Sequence, residues 1–130
     1  MGLIVRNKKF YGNNPLQNLV NYSTDEQVIG TWIDGKPIYQ KTIAFGTLPN
    51  ATEKQVAHNI SDIDVVIGSA GCSWKSDRSS CTQLPYVNPS SATSSIGLYA
   101  NSTVIGVVTG TDRRTFTITY VTLQYTKTTD

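Results

Sequence analysis

Few side chains in this sequence are able to carry out covalent chemistry, and the spacing of those few limits what the protein does. The single histidine, His58, falls in V-A-H-N-I-S-D, where an extended stretch runs into a turn. A hydrolase needs a nucleophile beside a base, a carboxylate pair with one raised pKa, or a metal cage. A lone His at a turn more often bonds that turn than a substrate, so the structural role is preferred for His58. Asp62 and Asp64 in D-I-D set two carboxylates on one side of an extended chain and offer part of a Ca²⁺ shell, but no third acidic ligand lies nearby. Cys72 and Cys81 stand nine positions apart in C-S-W-K-S-D-R-S-S-C. Two readings stay open for them: a disulfide, which stabilises by about 2–3 kcal/mol through restriction of the unfolded chain, or two free thiols. Two thiols and one His do not complete the tetrahedral shell of zinc. Gly68, Gly71, Gly106 and Gly110 match no phosphate-binding spacing. The expectation is a protein that is not an enzyme and that uses no metal and no cofactor.

Recognition of a surface or a sugar asks for less: exposed aromatic faces and a few fixed polar groups on loops. The stretch 71–94 carries both cysteines, Pro85, Pro89 and many serines, and it reads as a loop longer than compact folds usually keep without a purpose. Within it Trp74, Lys75, Asp77, Arg78 and Tyr86 are the candidate ligand-binding residues. The competing role for Trp74 is a plug folded back over the core. Tyr39, Tyr99, Tyr120 and Tyr125 fall in strand-like stretches and are expected in core or interface.

The elements that position these groups follow from composition. A chain of 130 residues makes one domain. Thr, Val and Ile supply 39 residues, whereas two Glu and six Ala leave little to favour helix. The class is therefore all-β, an antiparallel β-sandwich of jelly-roll type, with a short N-terminal helical or extended arm. The net charge is +2 with the cations scattered, which argues against nucleic acid. No run approaches the ~20 apolar residues of a membrane span, and Arg6, Lys8 and Lys9 interrupt the N-terminus before a signal-peptide core forms. Residues 1–26 differ from the rest: Asn14 as N-cap, Pro15 at the first helical position, then Leu16, Leu19 and Val20 at helical spacing. They are expected to form an arm or linker, with the sandwich over 27–130.

Asp34-Gly35 between Val28–Ile33 and Lys36–Phe45 is a strong hairpin signal, and a two-residue type I′ loop pairs Trp32 with Pro37 and Gly30 with Tyr39. That register puts Val28, Trp32, Pro37, Tyr39 and Ile43 on one face and Ile29, Thr31, Ile33, Ile38 and Gln40 on the other. Pro37 then faces away from its partner, at a sheet edge. Both faces are apolar enough to need cover, from a second sheet or a neighbouring subunit, and Trp32 and Tyr39 are the residues expected to pack there. Further strands are expected at 55–58, 64–70, 95–100, 103–109 and 115–127, the last three as a meander. Phe116, Ile118 and Tyr120 alternate in one phase, and Val121, Leu123 and Tyr125 in the other. A phase flip of this kind marks a β-bulge or a strand that changes its buried face.

The blocks Y-S-T-D-E-Q-V-I-G-T-W-I-D-G-K-P-I-Y-Q-K-T-I at 22–43, V-A-H-N-I-S-D-I-D at 56–64 and the ending Y-T-K-T-T-D at 125–130 are similar to a domain of structural proteins of tailed bacteriophages and prophages. That domain usually stands at the C-terminus of tail-fibre, baseplate or head-fibre proteins. The resemblance covers about residues 22–130, and W-I-D-G-K-P-x-Y is its most specific part. It implies a β-rich, non-enzymatic module on a virion assembled in the bacterial cytoplasm, commonly a homotrimer, and it transfers no binding residues. The Cys72–Cys81 segment departs from the pattern. Three functions follow as expectations. One is a fibre domain that recognises a host surface glycan or protein. Another is a purely structural head-fibre, decoration or adaptor protein docked to other virion proteins through residues 1–26. The last is a free carbohydrate-binding module.

Overall fold

The computed structural model describes residues 22–130. The helical turn expected after Asn14 and Pro15 lies outside them. Eight strands appear in chain order: β1 (Gln27–Thr31), β2 (Pro37–Ala44), β3 (Glu53–Ala57), β4 (Ile63–Lys75), β5 (Cys81–Leu84), β6 (Ile96–Ala100), β7 (Val104–Thr109) and β8 (Phe116–Lys127). The one helical element among the described residues is a single 3₁₀ turn at Ala92–Ser94. The strands form two antiparallel sheets, β1-β2-β8-β4-β5 and β3-β7-β6. This is the expected all-β sandwich, divided five and three.

β8 organises the larger sheet, since it pairs with β2 on one side and with β4 on the other. Its residues Val121, Leu123 and Tyr125 are fully buried and meet Ile105, Val107, Ile96 and Leu48 in the core. Burying side chains of this size gains roughly 1.5–3 kcal/mol each, which holds the two sheets together. The expected phase flip is present, and the pairing locates it. Trp74 faces Ile118, but Lys75 faces Phe116, so one extra β8 residue is accommodated at Thr117. That bulge turns Phe116 inward, where it is buried, and leaves Ile118 and Tyr120 on the outer face. The flip thus falls between 116 and 118, ahead of the point where the apolar pattern changes.

Three expectations need correction. The hairpin at Asp34-Gly35 is not a two-residue loop. Gly35 N–H donates to Trp32 O at 2.9 Å, Trp32 N–H donates to Lys36 O at 2.8 Å, and Gly35 has φ +90°. These are the marks of a three-residue loop with Gly in the left-handed position. The register moves by one, pairing Thr31 with Pro37 and Gly30 with Ile38, and a bulge at Ile29 then pairs Val28 with Tyr39. Trp32, now opposite Lys36, leaves the face that carries Pro37 and Tyr39. Pro37 opens β2 before the pairing with β8 begins at Tyr39, so its missing N–H interrupts no ladder.

The last three strands are also not a meander. β6 and β7 pair with each other, but β8 belongs to the other sheet. The connection turns a corner: Asp112 bridges Asn50, Arg113 N–H donates to Pro49 O, and Phe116 N–H donates to Arg113 O. Finally, 71–94 is not one long loop. β4 continues to Lys75 and pairs with β5 from Gly71↔Leu84 to Trp74↔Cys81, so the first half of the segment is a hairpin.

Candidate functional site

The outer face of the larger sheet has an unusual composition at its centre. Strand alternation sends Tyr39, Ile43, Val121, Leu123 and Tyr125 inward, and the opposite phase of the same strands points out. On β2 that phase is Gln40 and Thr42, and on β8 it is Tyr120, Thr122 and Gln124, paired as Gln40↔Gln124 and Thr42↔Thr122. On β4 it is Gly68, Ala70 and Cys72, opposite Gln124, Thr122 and Tyr120. Two long-side-chain strands beside a strand of Gly, Ala and Cys leave a trough of about 690 Å³ over β4.

Each polar group in the trough is placed by the ladder beneath it. Gln124 Nε2 donates to Gln40 Oε1 at 3.0 Å, and the Thr42 and Thr122 hydroxyls bond each other at 2.8 Å. A Cβ at Gly68 would lie 3.6 Å from Gln124 Oε1, so that amide oxygen hangs over the glycine floor. Gln83 of β5 closes one side. The other wall is the stretch Tyr22–Thr24 that leads into β1, held to β2 where Thr42 N–H donates to Ser23 O at 2.8 Å. Glu26 anchors this wall to β8. It accepts from the Tyr125 hydroxyl at 2.6 Å and pairs with Lys127 at 2.7 Å. Burial opposes its charge, but those donors prevail and hold the Glu26 carboxyl below its usual range, while burial and the Glu26 carboxylate push the Tyr125 hydroxyl up. Among the described residues no Asp, Glu, Lys, Arg or His lines the trough. An uncharged site between aromatic rings, with amides and hydroxyls fixed by backbone pairing, matches the size and character of small-ligand pockets.

The chain matches no family model, no curated protein and no solved structure.

The residues singled out in the sequence are scattered by the fold. Trp74 is on the outer face, neither core plug nor loop residue, with its ring 6.2 Å from that of Tyr120 at the end of the trough. Its indole N–H is buried without an acceptor among the described residues. Lys75 places its ammonium 5.9 Å from the Phe116 ring centroid. Asp77 accepts from both the Ser79 N–H and the Ser79 hydroxyl, which holds its carboxyl below the usual range. Arg78 is exposed at the hairpin tip with φ +63°. Tyr86 packs against the core beneath the Arg113 guanidinium, on the other side of the sheet from Trp74. The five therefore do not form one site.

Cys72 and Cys81 are both free thiols. They share the outer face, but Cys72 stands opposite Gln83 and Cys81 opposite Trp74, so the two are diagonal neighbours rather than a facing pair. Burial, and then the nearby Cys81, push the Cys72 thiol up. Tyr39 stacks on Tyr125 of its own chain at 5.9 Å and donates to Asp130 at 2.7 Å, so its ring is occupied within the subunit. His58 is buried, with Nδ1 accepting from Ile60 N–H at 3.1 Å and Nε2 bonded to Asn101 O at 2.8 Å, which closes the turn it sits in. The Asp64 carboxylate is bound by Lys36 at 2.8 Å. Among the described residues no three His, Cys, Asp or Glu side chains cluster as metal ligands.

Gln40, Thr42, Thr122 and Gln124 were missed by sequence reasoning. Their signal was the polar phase of K-P-I-Y-Q-K-T and T-Y-V-T-L-Q, which taken strand by strand reads as an ordinary solvated face.

Proposed function

We propose that this chain is a non-enzymatic recognition module of a bacteriophage virion, a fibre or tail-appendage domain that holds a host cell-surface ligand in the trough on its larger sheet. The trough carries this reading. It is built on paired strands, it is lined by uncharged donors and acceptors, and its far wall is tied down by Glu26. The W-I-D-G-K-P-I-Y block at 32–39 and its flanks supply the virion context, through their similarity to fibre and baseplate domains. The occupied nitrogens of His58 favour binding over catalysis. Antibodies raised against the full chain test this reading on phage particles: they label an appendage and block adsorption to host cells. Unlabelled particles, or labelled particles that adsorb normally, overturn it.

A purely structural role within the virion is favoured by a different observation. Among the described residues β1 is an edge strand, and it and its turn expose Val28, Ile29 and Ile33, the last at 90 %. An exposed apolar edge is a pairing surface. It supports contact with further copies of the chain, as in the homotrimer the resemblance implies. Under this reading Val28→Lys with Ile33→Lys lowers the mass measured by light scattering to that of a monomer, and an unchanged mass counts against it.

A further inference from the structure

We infer that the trough binds an uncharged pyranose saccharide, a deduction that rests on the recognition reading above and names the ligand class of the same site. The lining chemistry disfavours the other ligand classes in turn. An anionic or cationic ligand would meet no counter-charge among the described residues and would lose hydration without a charge-assisted bond from them in return. A wholly apolar ligand would cover the Gln83 amide and the Gln124 amide oxygen, and would take water from the remaining lone pairs of the mutually bonded Thr42 and Thr122 hydroxyls. A peptide strand adding to the sheet would run along an edge, and the edge among the described strands nearest the trough is β4 before Gly71, where β5 has not yet begun to pair; the polar groups of the trough stand instead on the face of the sheet, above β2 and β8.

What fits is a molecule polar around its rim, apolar on its flat faces and uncharged. Each sugar hydroxyl both donates and accepts, as a carboxamide does, so adjacent hydroxyls match a side-chain amide at two points. The pairing of Gln124 Nε2 with Gln40 leaves Gln124 Oε1 over the floor as an acceptor. Gly68 and Ala70 make that floor flat and apolar, and the Tyr120 ring, 40 % exposed, stands at its end to lie against the C–H face of a sugar ring. Tyr22 on the opposite wall is 69 % exposed and offers a second ring.

The test is a glycan array probed with the full-length protein, followed by NMR titration with the best-binding oligosaccharide. Binding is expected to uncharged glycans, with amide shifts gathering at Gly68, Ala70, Thr122 and Gln124. Ala70 is exposed, so Ala70→Tyr fills the trough without disturbing the core, and Gln124→Met removes the amide at similar volume. Each is expected to weaken binding by about tenfold or more, Ala70→Tyr at an unchanged thermal midpoint and Gln124→Met, which also gives up the bond to Gln40, at a slightly lowered one. An array on which only acidic sugars bind, or none do, overturns the inference, as do shifts centred on Lys75–Arg78. A trough protected from exchange by a second copy of the chain also overturns it. Binding to intact cells without any uncharged-glycan hit removes the ligand class and leaves recognition standing. Glycan binding without cell binding does the reverse.

Discussion

Replacing Tyr125 with Phe isolates one hydrogen bond that joins the core to Glu26, two residues beyond the Tyr22–Thr24 wall of the trough. The ring is fully buried and stacks on Tyr39, and Phe keeps both the burial and the stacking. The change removes only the hydroxyl that donates to Glu26 Oε2 at 2.6 Å. A bond to a charged partner contributes about 1.5–3 kcal/mol. The Glu26 side chain is 30 % exposed, so solvent screens part of that, and about 1–2 kcal/mol is the expected loss. For a domain of this size the loss lowers the thermal midpoint by about 4–9 °C. The pH dependence carries the same information. Glu26 is depressed in the folded protein, so its stabilisation is complete above its ordinary value of 4.5 and is lost as pH falls through the lower folded value. Tyr125 is raised from 10.0, so its contribution is complete below that pH and is lost as pH rises beyond it. Thermal melts from pH 3 to 11 of wild type, Tyr125→Phe, Glu26→Gln and the double variant read both limbs and the coupling. A coupling near zero, or a Tyr125→Phe midpoint equal to wild type at pH 7, refutes the tether.

Other consequences follow from the packing. A Cβ at Gly106 would lie 2.1 Å from Cε2 of Tyr99, whose ring crosses the middle strand of the small sheet to donate to Glu53 and accept from Gln55. Gly106→Ala is therefore expected to expel the ring and cost about 1–3 kcal/mol in denaturant melts, with a smaller added loss in the Tyr99→Ala background. His58→Ala leaves a cavity and orphans the Ile60 N–H and the Asn101 carbonyl, and is expected to cost about 2–4 kcal/mol by the same melts. Timed alkylation with iodoacetamide, read by mass spectrometry, is expected to modify exposed Cys81 well before Cys72, whose raised thiol pKa leaves less thiolate.

The strands most legible in the sequence are those rich in β-branched residues. β2, β6, β7 and β8 begin and end within about two residues of expectation, because V-I-G-V-V-T and F-T-I-T-Y-V-T-L-Q-Y combine propensity with alternation. The end of β4 beyond Ala70 was not legible. G-C-S-W-K has the composition of a loop, and it is a strand because β8 offers partners from Gly71 to Lys75. Close packing also requires it to be small there: a Cβ at Gly71 would meet Tyr120 O at 2.7 Å. The same smallness opens the trough, so the site was hidden by the feature that creates it. The Asp34-Gly35 turn was found but its length was misjudged, because only Gly35, not Asp34, takes positive φ. One residue of register was enough to move Trp32 to the other face.

The trough is the centre of this account, and intact host cells are its direct judge. Binding isotherms of labelled wild-type protein and of Ala70→Tyr, compared at equal oligomer mass and equal thermal midpoint, separate the trough from every other surface of the molecule. Filling the trough is expected to weaken cell binding by about tenfold or more. Equal isotherms for the two proteins would contradict it and move recognition elsewhere, with the exposed tip at Asp77 and Arg78 the first place to look.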